Sequence, residues 1–158
     1  MARLISASNR SQPENFTSES YVKGVHEGIG PILEMFGGYG VSKISEQRSP
    51  TGSPEFHQKY EIPGKGAVYL RTSFNMINPL GIGIKDGKEV KTDTYYRVDL
   101  AIEFLGKNKL WKPKSKVVRI IKEYLTDLNM EIVGDEIITK NGKEIVQECG
   151  ISSVMAQI

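Results

Sequence analysis

From position 19 onward, apolar side chains recur at three- and four-residue steps: Tyr21, Val22, Val25, Ile29, Ile32, Leu33 and Phe36. That spacing stacks them on one face and predicts an amphipathic helix. Pro31 lacks an N–H and crowds the turn before it, so a kink or a break after Gly30 is expected. The glycines of Phe36-Gly37-Gly38-Tyr39-Gly40 should end the helix, because glycine takes the left-handed conformation used at helix termini. A second, wider stripe of Val117, Val118, Ile120, Ile121, Tyr124, Leu125 and Leu128 starts after Pro113 and stops near Asn129.

Between the two helices the period falls to two. In residues 95–105, Tyr96, Val98, Leu100, Ile102 and Phe104 alternate with Arg97, Asp99 and Glu103, the pattern of a half-buried antiparallel strand. Strands are also expected at 57–62 and 67–74, joined by Pro63-Gly64-Lys65-Gly66. Another pair, 81–85 and 88–92, is joined by Asp86-Gly87, a strong two-residue hairpin signal. A last hairpin, 136–140 and 143–147, turns at Asn141-Gly142. Residues 42–56 are rich in Ser, Pro and Gly and read as a surface loop. Residues 1–18 are polar, contain Pro13 and show no periodicity, so they read as an N-terminal arm outside a domain spanning 19–158. The expected fold is α+β, a single antiparallel sheet of about five to seven strands with two packed helices.

The chain has 158 residues, enough for one domain with a sizeable core. Its apolar runs, such as Ile120-Ile121, are too short to cross a bilayer, and its first ten residues lack the apolar core of a signal peptide. Its single cysteine, Cys149, excludes an internal disulfide. A cytoplasmic protein, or one inside a particle assembled in the cytoplasm, is therefore expected, with no membrane partner.

Charge is distributed unevenly. Residues 1–103 balance twelve basic against twelve acidic side chains, but 104–122 carry seven bases and no acid. These are Lys107, Lys109, Lys112, Lys114, Lys116, Arg119 and Lys122, with Trp111 among them. Residues 123–158 then carry seven acids against Lys140 and Lys143. Such asymmetry points to a contact surface rather than a reaction centre. Lys114, Lys116 and Arg119 crowd the start of the second helix, where the macrodipole is already positive, at a cost of ~0.3–1 kcal/mol each. The same layout aims free N–H groups and cations at one place, as an anion site would, and Trp111 could stack on a base. A nucleic-acid site and a solvated, protein-binding flank both fit this segment. No zinc-finger spacing or ribonucleoprotein aromatic motif accompanies it.

Residues capable of chemistry are scattered. His26 falls beside the first helix and reads as a structural histidine, while His57 opens a strand and reads as exposed. Cys149 has only Glu148 and a distant histidine as helpers, and it reads as a buried thiol. Asp99 and Glu103 share one strand face but stand about 13 Å apart, too far for a shared acid–base step. A nuclease arrangement of Asp99, Glu103 and Lys107 around a metal would need a bend that the alternation lacks. No catalytic residue, metal or cofactor is expected.

The segment Pro63-Gly64-Lys65-Gly66-Ala67-Val68-Tyr69-Leu70, followed by Gly134-Asp135-Glu136-Ile137 and Gly142-Lys143-Glu144-Ile145, resembles the order of motifs in biotin and lipoate ligases. The resemblance implies a substrate-binding role for Lys143. The arginine- and glycine-rich phosphate loop of that family has no counterpart, and its Asn-Asp pair is reduced to Asp135. The leading expectation is therefore a non-catalytic subunit of a larger assembly, such as a viral particle, a phage tail or a multi-subunit machine. It would use its arm and its complementary basic and acidic surfaces to bind protein subunits, like or unlike. A small nucleic-acid-binding accessory protein using residues 107–122 is the alternative, and a divergent ligase-like enzyme a further one.

Overall fold

A computed structural model describes residues 2–11, 18–48, 50, 54–77, 80–107, 113–139 and 142–145. The chain runs β1 (Ala2–Ser11), α1 (Ser18–Met35), β2 (Tyr39–Gly40), β3 (Ser45–Arg48), β4 (Pro54–Ile62), β5 (Gly66–Ile77), β6 (Ile82–Lys85), β7 (Lys88–Lys91), β8 (Tyr95–Gly106), α2 (Ser115–Asp127), β9 (Glu131–Thr139) and β10 (Gly142–Ile145). The main sheet is antiparallel, in the order β10-β9-β1-β8-β5-β4-β2, with β3 also paired to β4. This is the expected α+β layer, and the short edge strands β2 and β3 bring its count to eight. β3 and the start of β4 occupy part of the stretch 42–56 expected to be a loop. β6 and β7 form a separate two-stranded ribbon instead of joining the sheet.

The N-terminal segment departs most from expectation. Residues 2–11 are not an arm. They form β1, in the middle of the sheet, paired to β8 from Ala2↔Leu105 to Ser11↔Tyr96 and to β9 from Ala2↔Ile138 to Ser8↔Glu131. The strand looks polar because its core face carries Arg3 and Asn9 beside Ile5 and Ala7, while Ser6 and Ser8 point the other way. Residues 12–17 of the expected arm lie outside the described residues.

Both helices cover one face of the sheet. Register places Ile5, Ile102 and Leu70 in one row, with Phe104 and Val68 in the next and Ala7 and Leu100 on the other side. These side chains pack against Val25, Ile29 and Leu33 of α1 and Val118, Ile121 and Leu125 of α2 in one core. α1 passes through Pro31 without dividing. Pro31 and Glu27 are both exposed, so water can satisfy the carbonyl that loses its partner. The helix ends as anticipated at Gly37 (φ +87°), where the Gly38 N–H returns to the Leu33 carbonyl at 2.9 Å. Two other glycines set how closely α1 can approach its neighbours. A methyl group at Gly28 would overlap the Tyr124 ring, and one at Gly30 would strike the Tyr60 hydroxyl. Tyr124 crosses at that point to donate its O–H to the Gly24 carbonyl at 2.6 Å, tying α2 to α1.

Among the described residues, no helix covers the opposite face of the sheet. Cross-strand register arranges that face in rows: Ser45–His57–Arg71–Ala101–Ser6, then Lys59–Tyr69–Glu103–Leu4–Glu136.

Candidate functional site

The basic flank of the sequence splits when folded. Lys107, Lys114, Lys116 and Arg119 are exposed around the start of α2. Lys114 occupies the N-cap position without a side-chain hydrogen bond, and no acidic residue stands in the first turn. The first N–H groups of α2 are thus left to solvent or to a ligand. Lys109, Trp111 and Lys112 lie outside the described residues.

Lys122 does not belong to this surface. It is buried, and its ammonium bonds to Asp135 Oδ2. Arg3 grips the same carboxylate with Nε and Nη2, at 2.9 and 2.8 Å from its two oxygens. The physical reason is position: Lys122 lies four residues after Val118 and three before Leu125, inside the buried stripe of α2. That spacing was the signal available in the sequence, and a count of charge along the chain ignores it. Asp135, the residue matched to the ligase motif, is thus fully occupied inside the protein. Lys143 falls on β10, and Cys149 lies outside the described residues.

His26 lies on the inner face of α1 and is wholly buried, with Nε2 2.8 Å from Thr72 Oγ1. Its Nδ1 has no partner, and neither has Oε1 of Gln58. Burial lowers its pKa to about 4; the nearby Gln58 amide opposes the shift and the charge of His57 adds to it. His26 is structural, as its place beside the helix stripe suggested. His57, expected to be exposed, is half-buried within β4 and lies 3.2 Å from Glu55. Asp99 and Glu103 share the open face as expected. Asp99 accepts hydrogen bonds from Arg97 at 2.9 Å and Asn75 at 3.1 Å, whereas Glu103 has no such partner among the described residues. No three His, Cys, Asp or Glu side chains are grouped to hold a metal among the described residues. No helix among them is long and apolar enough to cross a membrane.

The ribbon is a feature whose shape, though not its existence, escaped the sequence. β6 and β7 turn through Asp86 (φ +52°) and Gly87 (φ +76°), the positive pair a type I′ turn demands. The Thr92 N–H closes the base on the Gly81 carbonyl at 2.9 Å. Every residue from Ile84 to Lys91 is exposed, so the ribbon stands off the domain. Leu80 and Ile84 are each 81% exposed. Register pairs Ile82 with Lys91 and Ile84 with Glu89, which places these four side chains on one ribbon face.

No known protein family, curated protein or solved structure matches this chain.

Proposed function

We propose that this protein is a non-catalytic subunit that assembles with a second copy of itself through the β6–β7 ribbon. The observation behind this reading is the exposed face made by Ile82, Ile84, Glu89 and Lys91. A free two-stranded ribbon is marginally stable in water, and a second layer on its apolar side would complete it. The face is also self-complementary. A two-fold axis along the ribbon's hydrogen-bond direction, between the two rows, lays Ile82 on the partner's Ile84. The same operation sets Lys91 against the partner's Glu89, twice over. β1 has no part in this contact, since both of its edges are used within the sheet.

Light scattering tests the proposal over about 1–1,000 μM, the range in which so small an interface associates. A monomer–dimer equilibrium is expected, with Ile84→Asp monomeric throughout. Glu89→Lys should weaken the dimer, and adding Lys91→Glu should restore it. A wild-type protein that stays monomeric throughout overturns the reading.

The start of α2 supports a second reading, a polyanion site made by Lys107, Lys114, Lys116 and Arg119. Single-stranded DNA binding followed by anisotropy should then fall with salt at a log–log slope of about −3, as four phosphate contacts require. The double change Lys114→Glu and Lys116→Glu should abolish it. Binding that survives this change, or none at low salt, removes this reading.

A further inference from the structure

The open face of the sheet is not flat. Between β4, β5 and β8 it holds a concavity of about 460 Å³, lined among others by Leu4, Ser45, His57, Tyr69, Arg71 and Glu103. This lies in the range of small-molecule sites, ~300–1,000 Å³. Its depth has a simple cause: Arg71 pairs across β5–β8 with Ala101, whose methyl group leaves the floor low. Tyr69 and Leu4 flank Glu103 in the adjoining row and form apolar banks.

Two of the four basic or acidic side chains lining the concavity are already engaged. His57 lies 3.2 Å from Glu55. Lys59 sits over the Tyr69 ring, 5.5 Å from its centroid, and 4.0 Å from Glu61. Two are not. Arg71 and Glu103 make no hydrogen bond or ion pair with any described residue. They occupy diagonal positions across the β5–β8 pair, where Cα separations are about 7–8 Å and long side chains can reach one another. Opposite charges so placed would ordinarily close on each other. Here the concavity lies between them, and each keeps its bonding capacity free.

We infer that this concavity binds a small zwitterion, an α-amino acid or a short peptide with free ends. Its carboxylate lies in the Arg71 fork and its ammonium on Glu103. A guanidinium presents two parallel N–H groups that match a carboxylate, which a point charge would not. Glu103 accepts the ammonium protons, while Tyr69 and Leu4 cover the chain between the two ends. Neither an anion nor a cation alone satisfies both side chains. The site is distinct from the ribbon, so it stands or falls separately from self-assembly.

The experiment is an NMR titration of the full-length protein with alanine, trialanine, N-acetyl-trialanine, trialanine amide and inorganic phosphate. Saturable shifts around Arg71 and Glu103 are expected with alanine or trialanine, whichever is the bound form. Blocking either end should weaken binding at least tenfold. Arg71→Gln and Glu103→Gln should each do the same to the unblocked ligand. Glu103→Gln should leave the residual binding of the N-acetylated peptide unchanged, a readout that a folding defect would not produce. No saturable shift with either free ligand overturns the proposal. So does phosphate binding at Arg71 as tight as that of trialanine and indifferent to Glu103→Gln, which would mark a plain anion site.

Discussion

Asp135→Ala should destabilise the protein by about 3–5 kcal/mol, read as a lower urea midpoint at unchanged slope. The carboxylate lies between two buried cations, holding Arg3 through two bonds and Lys122 through a third. Its removal strips those three bonds from two buried cations and leaves their like charges close together. Lys122→Met separates this account from mere loss of packing. It keeps the two-bond Arg3–Asp135 pair and removes one buried charge, so it should cost far less than Asp135→Ala. A loss below about 1 kcal/mol for Asp135→Ala would mean that the cluster is solvated and behaves as a surface pair.

Acid should weaken the fold through His26 before it reaches most carboxylates. The folded pKa is about 4 against an ordinary 6.5, chiefly because burial disfavours the charged ring. The unfolded chain therefore binds the proton first as pH falls. Stability from this group is complete above pH 6.5, declines between about 6.5 and 4, and is gone below that. The loss amounts to about 3 kcal/mol. Urea midpoints measured across that window should show the slope in the wild type and lose it in His26→Leu. A wild-type profile flat over the same window would show that His26 is not held neutral by the fold.

The two helices and the strand β8 were legible in the sequence because their side chains keep strict periods against a single core. β1 was not. Its core face includes Arg3, whose charge is cancelled by a residue far along the chain, and its other face is serine-rich. The first half of β9 was missed for a different reason. Register jumps from Ser6↔Gly134 to Ala7↔Ile132, so Val133 is an extra residue, and Ile132 and Asp135 serve the same face out of step. β3 carries no pattern at all, since all four of its residues are exposed. As for the sites, charge counting found the exposed cations of α2 but assigned them Lys122 as well. The free Arg71–Glu103 diagonal depends on register between strands, and no reading of one strand at a time can show it.

The position of β1 also governs how the protein comes into being. It is synthesised before both strands that flank it: β8 begins at Tyr95 and β9 at Glu131. Until then its backbone amides have no sheet to join, and the apolar residues Leu4, Ile5 and Ala7 remain uncovered. Closure of the sheet centre thus depends on distant contacts, the class of topology that folds slowly. A nascent or truncated chain ending before β9 would present one open side of β1 to other chains. How much of it survives that interval would depend on the chaperones and proteases that meet it.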